Sequence, residues 1–214
     1  MNTELLEQGS PEWLAARLGR ATASRFSDIQ ATTKAGTESS SRRNYRAELV
    51  IERLTGTPLE SFSSGAMAWG QETEELARLA YSLHTGSDVD LTGFFTHESL
   101  MAGASPDGLV GDEGTIEIKC KIPANHIETL KLGKMPQKHM AQVQGQLWIT
   151  GRRWCDFISF DPRFPENSQL FVQRIPRDEQ YIHELTLAVA LFLDEVDEEV
   201  EFVRNYKANQ EALV

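Results

Sequence analysis

The chain has 214 residues, 40% of them hydrophobic and 25% charged, which is enough apolar material for one well-buried domain and too much for a mostly disordered polymer. No run approaches the roughly 18–20 apolar residues of a membrane span, and the acidic start MNTELLEQGSPEW lacks the basic and apolar stretches of a secretory leader. The net charge of −11 hides two basic stretches, Arg42-Arg43 with Arg46 and residues 115–153 with seven bases against two acids, so a polyanion partner is not excluded.

Two cysteines, Cys120 and Cys155, rule out a disulfide framework or a four-thiolate metal site. A soluble, cytoplasmic, single-domain protein is expected.

Ser10-Pro11-Glu12 reads as a helix start, with Ser10 as N-cap, Trp13, Leu14 and Leu18 as the apolar face and Gly19 as the stop. Thr22-Ala23-Ser24 caps a second short helix carrying Phe26 and Ile29. The polar residues 32–41 read as a loop, and residues 41–54 as a helix with Tyr45, Leu49 and Leu54 inward. Over residues 65–83 a long helix is expected, with Trp69, Leu76, Leu79, Ala80 and Leu83 on one stripe. The period then changes. Residues 91–97 and 100–104 read as strands, and 108–110 with 115–119 as a hairpin turning at Gly111-Asp112-Glu113-Gly114. Helices follow over 123–132 and 136–149, then strands over 154–160 and 169–175. A long acidic helix over 178–204 is expected to lie on the sheet through Ile182, Leu185, Val189, Phe192, Val196, Val200 and Val203. This order predicts an α/β fold with a mixed sheet flanked by helices.

Chemistry concentrates at Ser105-Pro106-Asp107-Gly108 and Glu117-Ile118-Lys119. The turn at 111–114 sets Val110 opposite Thr115 and Asp107 across from Ile118. Alternation then sends Glu117 and Lys119 to one face of the strand, and Ile116, Ile118 and Cys120 to the other. Asp107, Glu117 and Lys119 meet at one spot. Two carboxylates there suit a hard cation such as Mg²⁺ or Mn²⁺, and the lysine can hold a water or stabilise charge on phosphorus. A plain surface turn beside an exposed strand is the alternative, but it leaves three charges in the otherwise apolar run 116–122 unexplained.

Asp107 with Glu117-x-Lys119 on a hairpin matches the PD-(D/E)xK nuclease signature. Around it stand, in order, Trp13-x-x-x-Arg17-Leu18-Gly19 with Thr22-Ala23-Ser24, Trp69-Gly70-x-x-x-Glu74, and Met140-Ala141-Gln142-Val143-Gln144. The series resembles the phage lambda exonuclease family of viral recombination nucleases, the YqaJ-type group, from about residue 8 to residue 180. The resemblance implies a restriction-endonuclease-like core. It also implies a Mg²⁺-dependent deoxyribonuclease, Mn²⁺ substituting, that degrades one strand of linear double-stranded DNA from 5′ to 3′. Such an enzyme releases 5′-mononucleotides and leaves a 3′ overhang. Two metal ions, a ring-shaped homotrimer and a single-strand annealing protein as recombination partner are implied as well, in a phage or its bacterial host.

By the same resemblance Asp107, Glu117 and the carbonyl of Ile118 are metal ligands, and Glu74 serves a second metal. Lys119 positions the attacking water and Gln142 orients the water or the lysine. Arg17 and Ser24 hold the 5′-terminal phosphate. Lys34 stands where the family has an arginine, a point charge in place of a bidentate fork. Met67 stands where an apolar wedge separates the terminal base pair. Helical periodicity favours Glu72 over Glu74 as the inward acid, so Glu72 stays in reserve for that role. The scattered histidines 84, 97, 126, 139 and 183 read as structural, and Gln142 with Gln146 has the i, i+4 spacing that a solvated face also shows. A PD-(D/E)xK endonuclease and a non-catalytic DNA-binding protein are the rival readings.

Overall fold

A computed structural model describes residues 3–4, 9–59, 64–120 and 122–206, with 3–4 and 64–72 described by backbone alone. Four short strands, β1 (Thr3–Glu4), β2 (Ala21–Thr22), β3 (Phe94–Thr96) and β4 (Ala102–Ala104), form one sheet in the order β1-β3-β4-β2. A second sheet joins β5 (Gly108–Val110), β6 (Gly114–Lys119), β7 (Trp154–Phe160) and β8 (Leu170–Pro176) in chain order. Its central pair β6–β7 is parallel and the outer pairs are antiparallel. The fold is mixed α/β as predicted, with two sheets in place of one. Pro106, which has no N–H for a ladder, lies at the break between β4 and β5.

Helix α1 (Pro11–Arg17) starts where Ser10 Oγ accepts from the Trp13 N–H at 3.1 Å. A 3-10 turn (Ala23–Arg25) leads into α2 (Phe26–Ile29), and α3 (Ser40–Thr55) and α4 (Ser64–Thr85) follow. After the β6 strand come α5 (Pro123–Leu132), α6 (Met140–Thr150) and, last, α7 (Glu179–Arg204). The largest core packs Phe26, Tyr45, Leu49, Leu185, Val189 and Phe192 together. There Tyr45 of α3 stacks on Phe192 of α7 with centroids 5.5 Å apart.

Four expectations are corrected. The hairpin is one residue tighter than predicted: Gly108 pairs with Ile116 and Val110 with Gly114, leaving a three-residue turn. Gly114 enters the strand, where the Trp154 ring stands against it, 2.2 Å from where a Cβ would lie. On α4 the stripe is inverted. Thr73, Ala77 and Tyr81 are buried, whereas Leu76, Leu79 and Leu83 are 48%, 57% and 79% exposed. Small Ala77 lets the helix lie close to the sheet, and Tyr81 Oη donates to buried Asp156 at 2.7 Å. The side chains of Trp69, Met67 and Glu72 lie outside the described residues. Helix α7 buries its predicted face apart from Val203, but against α3 and α6 more than against the sheet.

The fourth correction concerns charge. Arg42 forks onto Glu195 at 2.7 and 2.9 Å, Arg46 bonds Glu199 at 2.7 Å, and both reach Glu38. Arg42 and Arg46 of the basic stretch are therefore paired with the acidic face of α7, while Arg43 is exposed.

Candidate active site

The parallel strands β6 and β7 end side by side, Lys119 opposite Ser159, and a cavity of about 430 Å³ opens at those ends. Its wall takes Asp107 from the segment before β5, Glu117, Ile118 and Lys119 from β6, Glu74 from α4 and Gln142 and Gln146 from α6. Arg17 and Ser24 come from the N-terminal segment. The alternation predicted for β6 holds: Ile116, Ile118 and Cys120 join Ala77 and Tyr81 in a core beneath α4, while Glu117 reaches α6. Gln142 and Gln146 stand one helical turn apart, so both reach the same strand residue.

Glu117 is 2% exposed and bonded on both oxygens. Its Oε1 accepts from Gln142 Nε2 at 2.7 Å and lies 2.6 Å from Lys119 Nζ, and its Oε2 accepts from Gln146 Nε2. Lys119 Nζ also donates to Gln142 Oε1 at 3.1 Å, so one amide bridges the acid and the lysine. Asp107 Oδ2 accepts from the Ile118 N–H at 2.6 Å. The aspartate is thereby held at Ile118, near the cavity end of β6, despite the altered register.

Burial pushes the Asp107 carboxyl well above its usual range, and the negative charges of Glu117 and Glu74 push it further. Burial works against the Lys119 ammonium, but Glu117 and Asp107 outweigh it and hold the lysine above its ordinary value. The Cys120 thiol is pushed up to about 12 by burial, then by Glu74 and Asp107, which removes it as a nucleophile.

Glu74 is half-buried beside the buried Thr73 and lines the cavity. The objection that periodicity raised against it came from choosing the wrong face of α4. Arg17 lies over the Trp13 ring at 4.1 Å, and Trp13 Nε1 donates to Ser105 Oγ at 3.3 Å. Ser24 Oγ is 3.3 Å from Thr22 Oγ1. Lys34 is exposed on the turn closed by the Thr32–Glu38 bridge and does not line the cavity.

Other wall residues escaped sequence reasoning. Gln146 is fully buried, where its i+4 spacing from Gln142 fits a solvated face equally well. His126 and His139 also line the cavity. His126 bonds Ser159 Oγ through Nδ1 and the Ser168 carbonyl through Nε2, each at 2.8 Å. His139 stacks on Phe157, and burial, then Lys119 and Lys138, lower its pKa to about 4. A histidine held by a serine and a distant carbonyl leaves no local sequence signal.

A family model described as a YqaJ-like viral recombinase domain matches residues 12–153. The crystal structure of an alkaline exonuclease, LHK-Exo, from Laribacter hongkongensis is 45% identical, with a TM-score of 0.84 over 94% of this chain and 100% of that one. Its complex with dAMP gives a TM-score of 0.85 at the same identity and coverage. A phage-related exonuclease from Haemophilus somnus 129PT, 18% identical over 86% of this chain and 96% of that one, shares the fold at a TM-score of 0.67. No curated protein matches the chain.

Proposed function

The chain belongs to the YqaJ-like viral recombinase family and is a nuclease acting on DNA, and we propose that it enters linear double-stranded DNA at its ends and degrades one strand from 5′ to 3′. The observation that carries this reading is a single cavity in which Asp107, Glu117, Glu74 and Lys119 share the wall with Arg17 and Ser24. Acids and a lysine suit hydrolysis of a phosphodiester. An arginine and a hydroxyl suit the phosphate of a 5′ end.

A divalent cation fits the donor set. Among the described residues four carboxylates, Glu74, Asp107, Glu117 and Asp161, share the wall with Lys119 and Arg17, and Asp107 is raised by burial and then by its acidic neighbours, so the wall favours added positive charge. Among the described residues no three His, Cys, Asp or Glu side chains stand at metal-holding spacing. Mg²⁺ suits such a wall because it keeps several waters and takes one or two carboxylates. Asp107, Glu117 and the Ile118 carbonyl would hold one ion and Glu74 a second, with Mn²⁺ able to replace either. When bound, such ions supply Lewis-acid stabilisation of charge on the phosphate oxygens.

The rest of the work falls to the side chains. Gln142 and Gln146 fix the Glu117 carboxylate from both sides. Lys119, kept protonated by Glu117 and Asp107, acts as a donor: it orients the attacking water and faces the charge building on phosphorus. Gln142 sets the direction of the lysine. Arg17 and Ser24 grip the new 5′-phosphate after each cut. This reading relies on neither Lys34 nor Met67.

Release of 5′-mononucleotides agrees with the dAMP complex of LHK-Exo. The remaining 3′ overhang is the substrate of a single-strand annealing protein. A homotrimeric ring would keep the enzyme on its DNA, and the exposed leucines of α4 are a face that a neighbouring copy would cover. Among the described residues no helix is long and apolar enough to cross a membrane. The setting proposed is the cytoplasm of a bacterium or of a phage-infected cell.

The deciding experiment is Mg²⁺-dependent digestion of linear duplex bearing a 5′-phosphate, beside the 5′-hydroxyl form and a covalently closed circle. Rapid loss of the phosphorylated linear duplex alone is expected. Cutting of the circle would make the protein an endonuclease, and no cutting with Mg²⁺ or Mn²⁺ would leave a DNA-binding protein.

A further inference from the structure

The segment that carries Arg17 and Ser24 to the cavity is irregular. Helix α1 ends at Arg17, residues 18–20 turn, and the two-residue β2 precedes the 3-10 turn holding Ser24. Segments of this kind owe their shape to what bonds their backbone from outside. Here α3 supplies three such bonds. Glu52 Oε2 accepts from the Gly19 N–H at 2.8 Å, Arg53 Nε donates to the Gly19 carbonyl at 2.9 Å, and Tyr45 Oη accepts from the Thr22 N–H at 2.9 Å.

Adjacent side chains thus hold both polar groups of one residue. Gly19 sits at φ +67°, and a Cβ there would lie 2.8 Å from Arg53 Cγ, so the arginine stem is packed on the turn as well as bonded to it. Each member of the pair is anchored a second time. Arg53 Nη1 donates to Asp197 of α7 at 2.6 Å, and Glu52 Oε1 accepts from the Leu59 N–H at 3.1 Å. Docking of α3 itself does not call for these charges, because Tyr45, Leu49 and Val50 already bury its apolar face. Burying a carboxylate and a guanidinium carries a desolvation cost, which bonds to the Gly19 turn, Leu59 and Asp197 offset while Arg53 Nη2 stays buried without a partner.

The geometry points to Glu52 and Arg53 as positioning residues for end recognition. They lock the Gly19 turn, hold Arg17 on one side of it and Ser24 on the other in register, and so set the preference for a phosphorylated 5′ end. The inference rests on the proposed role of Arg17 and Ser24, and the test separates the two.

Full-length parent, Arg53→Met, Glu52→Gln and Arg17→Ala are compared on linear duplexes with a 5′-phosphate or a 5′-hydroxyl, with KM and kcat read separately and thermal unfolding recorded. Arg53→Met and Glu52→Gln are expected to cut the ratio of kcat/KM for the two ends about tenfold, through KM for the phosphorylated end and with kcat within about twofold. A ratio unchanged in both variants while Arg17→Ala abolishes it overturns the positioning role. Equal losses on both ends, kcat included, overturn it too, since that is what loosened packing alone would give. A ratio that survives Arg17→Ala refutes the phosphate pocket itself. If Arg53→Met does not fold, Glu52→Gln, which keeps shape and burial, decides by the same ratio.

Discussion

A carboxylate bonded on both oxygens cannot turn away from its task, and Glu117 is such a group, with Gln142 and Lys119 on one oxygen and Gln146 on the other. Replacing Gln146 by leucine leaves a buried acceptor without its donor. The expected cost is about 1–3 kcal/mol, read as a lower urea midpoint, with activity falling alongside. Lys119→Ala should lose at least about a hundredfold in kcat while still binding duplex DNA, because the lysine meets charge that develops in the transition state. Residual activity within about tenfold of the parent would remove Lys119 from the reaction. Burial, then the charges of Glu117 and Glu74, raise the Asp107 carboxyl, so proton and cation compete for it. Apparent Mg²⁺ affinity should therefore fall as pH falls through that raised value. Binding should also release protons, which calorimetry in two buffers of different ionisation heat would register.

At the scale of elements, the hairpin and α4 show what one sequence can and cannot reveal. The β6 alternation was legible because Ile116, Ile118 and Cys120 differ so plainly from Glu117 and Lys119. The register was not: Gly114 reads as a turn residue, and the Trp154 ring that leaves no room for a side chain there comes from far along the chain. Gly114→Ala should cost about 1–3 kcal/mol in thermal or chemical unfolding by driving a methyl into that ring. On α4 the leucines marked the wrong face, since hydrophobicity counted for more in the pattern than the small Ala77 and the hydrogen-bonded Tyr81 that meet the sheet. The acid and lysine cluster survived both errors. Its members are tied to β6 itself, whereas the glutamine clamp and the two wall histidines depend on contacts between distant elements.

For the whole molecule, the pairing of α3 with α7 changes what the charge distribution means. Sequence alone offers Arg42 and Arg46 to a polyanion, but the fold directs them to Glu195 and Glu199. Glu195→Gln should weaken the brace, lowering the unfolding midpoint more at low salt than at high salt, because the pairs are only partly buried. The same brace bears on how the protein meets DNA. Each lysine or arginine that neutralises a backbone phosphate expels a condensed counterion, and the steepness of log affinity against log salt counts these events at about −0.9 per phosphate. With Arg42 and Arg46 engaged internally, exposed Arg43 is what the basic stretch of α3 still offers to displace them. Replacing both Arg42 and Arg46 by glutamine should then leave the salt slope of duplex-end binding unchanged, whereas two lost phosphate contacts would make it shallower by about 2. Any salt-dependent grip on the duplex would then come from cations outside that brace.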